Sequence, residues 1–385
     1  MPLPTPLLLC ALLVVPALAA VGVGGALPSG PSAGHDYRAD FDRTDAAFNG
    51  GKGQSEATNA SGKLVWGESY LLIAYVQMYQ ATHDADYLRR LVAHFDRVLQ
   101  NRDDTRGLAD AYAGKPLAGW GSERYSDGKW HVWIVHTGML TIGPAQFVRQ
   151  VKEHKALQEE FGAKAAEYRH RIEESLRDAD PYWRDGPNAE EGYYYDPYLK
   201  QWVPLNMQNA MGMTLLEMGK ATGNRACLDK AARLARFFKH RLRRPESERY
   251  DWAYWPLPDK DGPGSEDISH ACINVAFAAL CAAEQIVFTR QDAARFAQTW
   301  LQRVVKPDGT WADNVDGSGK GNTYKPDGAS LWLPLCPLLP AEVRAAFYGS
   351  IARAFAGKVD TRGVNLLGIA SLLRYAPAQA VTAQK

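Results

Sequence analysis

The sequence lacks most of what would tie it to a disulfide scaffold, a nucleic acid or a membrane. Its five cysteines form no CxxC pair and no Cys/His grouping of zinc-ligand spacing. Cys10 falls in an amino-terminal stretch expected to be removed. Cys272 and Cys281 share one predicted helix, facing opposite sides roughly 13 Å apart, too far to bridge. Cys227, Cys272, Cys281 and Cys336 are therefore expected to be small core residues. Net charge is also scarce: 44 Lys and Arg against 43 Asp and Glu leave +1, so net charge points to no nucleic-acid or anionic-membrane partner. Past the amino terminus no segment is apolar for long enough to span a membrane. No run alternates convincingly as a strand should.

The first 34 residues carry no charged side chain. The apolar run from Leu7 to Leu18 and the small residues of Ala17-Leu18-Ala19 read as a secretory signal peptide over 1–19. A flexible Gly/Ala/Pro/Ser lead-in follows over 20–34. The remainder, 35–385, is expected to be one catalytic domain of an exported protein, secreted or periplasmic.

That domain reads as helix throughout. Periodicity predicts pairs at Trp66–Thr82 with Asp86–Arg102, Val132–Lys155 with Leu157–Arg177, Met207–Thr222 with Arg225–Arg241, and Ile268–Thr289 with Gln291–Val305. Leu331–Leu339, Glu342–Phe355 and Val364–Tyr375 complete the set. One unit recurs: Met78-Tyr79-Gln80-Ala81-Thr82 followed by Leu88 matches Met218-Gly219-Lys220-Ala221-Thr222 followed by Leu228. Short turns within pairs and irregular Gly/Pro/Trp loops between them favour an all-α, closed α/α toroid of six or seven helical hairpins over an open solenoid. The inter-pair loops would then gather at one mouth and build the site.

Tyr250 to Tyr324 holds the densest chemistry. It contains the aromatic loop Tyr250-Asp251-Trp252-Ala253-Tyr254-Trp255, a helix start at Glu266-Asp267-Ile268-Ser269-His270, and a polar glycine-rich loop closing on Tyr324. Asp267 or Ser269 can cap that helix, placing His270 in its first turn. Tyr324 neighbours Lys320 and Lys325, and a nearby cation would favour the tyrosinate. Asn206 is placed as a helix N-cap, and Asn209 one turn later could grip a carboxylate. His131 and His136 do not share a face, so a two-histidine metal site is not expected; His136 could line the mouth. Trp252, Trp255 and Trp311 lie in loops, where they either stack on sugars or close the core. The basic run Lys239-His240-Arg241-Leu242-Arg243-Arg244 ends a helix and reads as a solvated face. The loop Asp313 to Gly317 fails as a calcium loop because Val315 takes a ligand position, and no metal or cofactor is expected. Asp251, Glu266, Asp267 and Glu190-Glu191 supply carboxylates, but none in a recognisable hydrolytic pairing.

Three short motifs carry a resemblance: Trp66-Gly67-Glu68-Ser69-Tyr70 with Ala74-Tyr75, Arg102-Asp103-Asp104, and Glu266-Asp267-Ile268-Ser269-His270-Ala271. Together they resemble family 38 polysaccharide lyases, α/α-barrel enzymes that cleave glucuronan or alginate by β-elimination. The resemblance implies a histidine and a downstream tyrosine as the proton-transfer pair, with an asparagine helping to neutralise the uronate carboxylate. His270, Tyr324 and Asn209 stand in suitable order. An arginine expected shortly before the tyrosine is absent, with Lys320 as its replacement. The expected partner is an anionic β-1,4-linked uronate polymer, stacked on Trp252 and Trp255 and contacted by His136 and Asn206. Asn209, His270 and Lys320 would hold the carboxylate, while Tyr324 takes H5 and protonates O4. For guluronate, where H5 and O4 lie on opposite ring faces, His270 would be the base. A toroidal glycoside hydrolase and a non-catalytic glycan-binding protein are the alternatives, and a C5-epimerase would share the proton-abstraction step.

Overall fold

A computed structural model describes residues 35–246, 248–257, 264–324, 328–355 and 360–377. The expected signal peptide, the lead-in, Cys10 and Lys325 lie outside them. In chain order the helices are α1 (Tyr37–Ala47), α2 (Lys63–Thr82), α3 (Asp86–Gln100), the single turn α4 (Asp103–Arg106), α5 (Ile134–Glu153) and α6 (Lys155–Ala179). After a small sheet come α7 (Leu205–Thr222), α8 (Arg225–Lys239), α9 (Ile268–Ala283), α10 (Arg290–Thr299), a 3₁₀ turn at Leu333–Leu338, α11 (Ala341–Ala352) and α12 (Gly363–Arg374).

Burial divides them into two rings. In α9 every residue from Ala271 to Ala279 is buried, and α2, α5, α7 and α12 are nearly as covered. Helices apolar on all sides belong inside. By contrast α3 buries one stripe, Tyr87, Leu88, Leu91, His94, Phe95, Val98 and Leu99, and therefore lies outside. The inner ring runs α2, α5, α7, α9, the Leu333–Leu338 turn and α12, which packs back against α2. Each inner member is followed by an outer helix, and α1 covers α12, so the described residues form six pairs closed into an α/α toroid.

The repeated sequence unit is a repeated turn. Thr82 Oγ1 donates to Met78 O at 2.8 Å and receives Asp84 N at 3.2 Å; Thr222 Oγ1 donates to Met218 O at 2.7 Å and receives Asn224 N at 3.2 Å. In each, the next residue is left-handed: His83 at φ 57° and Gly223 at φ 76°.

Two expectations need correction. Three strands do exist, β1 (Trp183–Asp185), β2 (Gly192–Asp196) and β3 (Gln201–Trp202), antiparallel in that order with Trp183 opposite Tyr194 and Tyr195 opposite Trp202. They are too short for alternation to declare itself. The basic run is not wholly solvated either: Arg241 is buried against Glu191, and Lys239 pairs with the buried Asp292. The four described cysteines are buried and free.

Glycine sets the spacing of the inner ring. A Cβ on Gly138 would lie 2.6 Å from Met211 N, and one on Gly143 2.7 Å from Leu72 C, both backbone atoms of neighbouring helices. Gly138→Val is expected to destabilise the protein by roughly 1–3 kcal/mol or more, since only backbone movement relieves the overlap. A urea midpoint that falls at constant slope would show it.

Candidate active site

Five inner helices begin at the same mouth. Their first two turns or so line a cavity of about 810 Å³: Lys63, Trp66 and Tyr70 from α2, Val135 and His136 from α5, Asn206 and Met207 from α7, Ser269, His270 and Ile273 from α9, and Val364 from α12. Loops supply Arg124, Tyr125, Tyr254, Trp255, Tyr324 and Arg362. Helix N-termini carry partial positive charge, and Lys63, Arg124 and Arg362 add cationic side chains, the last paired with Asp360 at 2.9 Å. Among the described lining residues no Asp or Glu appears.

The start of α9 is fixed by its sequence. Asp267 caps it, its Oδ1 accepting from Ser269 N at 2.9 Å and His270 N at 3.1 Å. Its Oδ2 lies 2.5 Å from His270 Nδ1. One carboxylate thus ends the helix and orients the imidazole, leaving Nε2 as the other ring nitrogen. The Tyr254 ring lies against His270, centroids 5.0 Å apart and tilted 33°. Burial pushes the Asp267 carboxyl up, but His270 and Ser269 outweigh it and hold it below the usual range.

The tyrosine loop is laced to that helix start. Ile268 N donates to Asp313 O and Val315 N to Glu266 O, at 2.8 and 2.9 Å. The Asp313 carboxylate receives Gly321 N and Thr323 N, at 2.9 and 3.0 Å. Asp313 therefore shapes the loop that carries Tyr324. The phenol is not lowered as the neighbouring lysines suggested. The Asp267 charge, then burial and Asp313, push it above its ordinary value. Lys320 is exposed and is not among the cavity residues, and Lys325 lies outside the described residues.

His136, Asn206, Trp255, His270 and Tyr324 thus come together in one cavity. Asn206 lines it from the first turn of α7, while Pro204 holds the cap position assigned to Asn206. Asn209 is buried a turn deeper, its Nδ2 donating to Asn274 Oδ1 at 2.7 Å. Trp252 is fully buried, its ring 5.9 Å from Phe238 and 5.5 Å from Phe296, and so belongs to the core rather than to a sugar platform. Trp311 is likewise buried against Trp300.

Four lining residues carry a buried polar atom without a protein partner: Trp133 Nε1, His136 Nε2, Asn206 Oδ1 and Trp255 Nε1. Orphans of this kind are uncommon in folded proteins; gathered on one cavity, they suit a ligand rich in hydroxyl and carboxyl groups. Burial drives His136 down to about 3, so it acts as a neutral hydrogen-bonding ring. Among the described residues, Glu266, Asp267 and His270 bring three donor atoms within 4.8 Å of one another, a grouping that could hold a cation. The contact between His270 and Asp267 already occupies two of those three.

Sequence reasoning missed Lys63, Arg124 and Arg362, and gave Tyr254 no role beyond its place in the aromatic loop. Among the described residues the cations that line the cavity are Lys63, Arg124 and Arg362, not the lysines beside Tyr324. Only Arg362-Gly363 before an apolar run hinted at them.

No family model and no curated protein matches this chain. Solved structures do match in fold. An α-1,6-mannanase of glycoside hydrolase family 76 from Salegentibacter, in an inactive variant, aligns with TM-score 0.57 at 12% identity, over 88% of this chain and 98% of that one. A family 88 glycosyl hydrolase from Bacteroides vulgatus gives 0.52 at 12%, over 88% and 97%. A polysaccharide lyase gives 0.51 at 12%, again over 88% and 97%. The chain shares the α/α-toroid fold of these glycan-processing enzymes.

Proposed function

We propose that this protein is an exported polysaccharide lyase that cleaves a β-1,4-linked uronate polymer, glucuronan or mannuronate-rich alginate, by β-elimination, as its resemblance to family 38 lyases implies. The observation that carries this reading is the cavity wall: five helix N-termini and three cations, with no carboxylate among the described lining residues. Such a wall attracts an acidic sugar. It is poorly built for glycoside hydrolysis, which generally needs two carboxyl groups flanking the bond. Of the neighbouring carboxylates, Asp267 holds His270, Asp360 pairs with the lining Arg362, and Glu266 is fully buried and does not line the cavity. The mannanase above was inactivated by replacing two consecutive aspartates. The consecutive aspartates of this chain lie outside the cavity lining: Asp103 accepts from Gly121 N and Trp130 Nε1 through Oδ2, and Asp104 is forked by Arg102.

In this mechanism the surrounding cations neutralise the uronate carboxylate and His136 and Asn206 hydrogen-bond to it, which makes the C5 proton acidic and stabilises the enediolate. Asp267 keeps Tyr324 protonated and holds His270 Nδ1, so His270 Nε2 takes H5 and Tyr324 protonates the departing O4. This divides between two residues the work first assigned to Tyr324. The C5–H electron pair becomes the C4–C5 double bond as the C4–O4 bond breaks, and solvent returns the proton from His270 to Tyr324. Purified protein incubated with glucuronan, polymannuronate or polyguluronate is expected to generate the ultraviolet absorbance of the unsaturated uronate on one of them. Shortened chains without that absorbance would make it a hydrolase. Unchanged chains would leave a glycan-binding protein.

A further inference from the structure

With Trp252 in the core, a sugar platform has to come from rings that reach the cavity. Tyr125 lines it and stays 41% exposed, although Trp133 and His136 pack against it edge to face at 6.3 and 6.2 Å. A lone exposed aromatic needs no explanation, but this one has company. The Arg124 guanidinium lies over its ring, 5.2 Å from the centroid, and donates to Ser61 O at 3.3 Å. Two residues further on, Lys63 opens α2, exposed and with no side-chain partner among the described residues. Between them, a Cβ on Gly62 would lie 3.2 Å from Trp66 Cδ1 and 3.9 Å from Tyr125 Cε2, so both rings converge on that helix start. One rim of the cavity thus carries two cations and two aromatic rings. The ring against His270 is Tyr254, whereas Tyr125 has Trp133 and His136, so the rim lies to one side of the proton-transfer pair. It is not remote from it. Burial, then Glu266, Asp267 and Tyr125, push the Tyr254 phenol up, which puts Tyr125 within electrostatic reach of Tyr254.

We propose that this rim is a second sugar subsite: the Tyr125 ring takes the apolar face of the uronate next to the one being cleaved, and Arg124 and Lys63 meet its carboxylate. The proposal rests on the uronate reading above and extends it to a second unit of the polymer. An aromatic ring beside a cation matches an acidic sugar, whose C–H groups turn to the negative ring face while its carboxylate seeks charge. An uncharged sugar would use the ring alone. Arg124 and Lys63 keep their part in the field at the reacting carboxylate, since both line the same cavity. Binding energy collected at the neighbouring unit holds the polymer equally in ground and transition states, so it acts on KM and not on kcat.

Kinetics on uronate oligomers of increasing length test it. In wild type kcat/KM is expected to step up about 10-fold at the length that first fills the rim, the worth of one covered aromatic contact. In Tyr125→Ala that step disappears through KM, with kcat on the polymer held within about twofold. Tyr125→Phe keeps the ring and is expected to keep the step. A step that persists in Tyr125→Ala, or a loss that Tyr125→Phe shares, overturns the platform. Arg124→Gln is expected to flatten the rise of KM with salt, and an unchanged slope overturns the carboxylate contact. If no oligomer is cleaved, migration of the intact protein through gels holding glucuronan, polymannuronate, polyguluronate or an uncharged mannan separates this proposal from the lyase reading. Retardation by a uronate polymer alone, relieved in Tyr125→Ala, upholds the subsite in a protein that is no lyase. Retardation by the mannan as well, or equal retardation of wild type and Tyr125→Ala, overturns it.

Discussion

Tyr324→Phe is expected to lose about 10²–10⁴-fold in kcat on the responding polymer, the usual worth of a positioned proton donor, with KM little changed. The ring of Tyr324 packs against the edge of the core, and phenylalanine keeps that packing, so the urea midpoint should hold. The hydroxyl is the group at stake. Asp267 acts on both partners: its charge raises the phenol, and its Oδ2 sits 2.5 Å from His270 Nδ1. The tyrosine is therefore held in its protonated form, and Asp267 fixes the ring that carries His270 Nε2. His270→Gln is expected to fall comparably, and combining the two should cost little more than either alone, because the groups serve one elimination. Asp267→Asn is a poorer probe, since the same carboxylate caps α9. Turnover retained in Tyr324→Phe would remove the tyrosine from the mechanism, and Tyr254, whose ring lies against His270, would be the next candidate.

The inner helices were legible because a helix buried on every side is continuously apolar, as α9 is. Their number was not. The fifth inner element is a 3₁₀ turn containing Pro334 and Pro337, which breaks the 3.6-residue period. The helix that completes the last pair, α1, is short and largely polar. His270 could be found because its cap, Asp267, is local sequence. Trp252 could not be assigned to the core, because its burial depends on Phe238 and Phe296, brought in from two other helices. Lys63, Arg124 and Arg362 converge from distant parts of the chain, so no local pattern announced the cationic wall. Of the resembling motifs, Glu68 and Arg102 prove structural: Glu68 ties His94 to Gln54, and Arg102 ties Asp104 to Glu174.

The stability of the mouth is expected to depend on pH through His131. Its Nδ1 and Nε2 each lie 2.9 Å from a carboxylate oxygen, of Asp110 and Asp196. Burial alone would lower the imidazole, but the two carboxylates outweigh it and raise it from 6.5 to about 9. Asp196 shapes the turn to Leu199, which lines the cavity, and the His131 backbone pairs with Ser122, ahead of Arg124 and Tyr125. The folded state thus binds a proton that the unfolded chain releases above pH 6.5. The stabilisation is complete below that pH and is lost as pH rises through about 9. At about 1.4 kcal/mol per pKa unit it amounts to roughly 3 kcal/mol. His136 acts in the opposite direction: held neutral with its value near 3, it withdraws stability as pH falls below 6.5. Comparing wild type with His131→Gln cancels that contribution. The gap between their unfolding free energies is expected to be widest near pH 6 and to shrink by roughly 3 kcal/mol by pH 9.5. Parallel curves across that range would mean that His131 is neutral in the folded protein and that the two carboxylates hold it as hydrogen-bond acceptors alone.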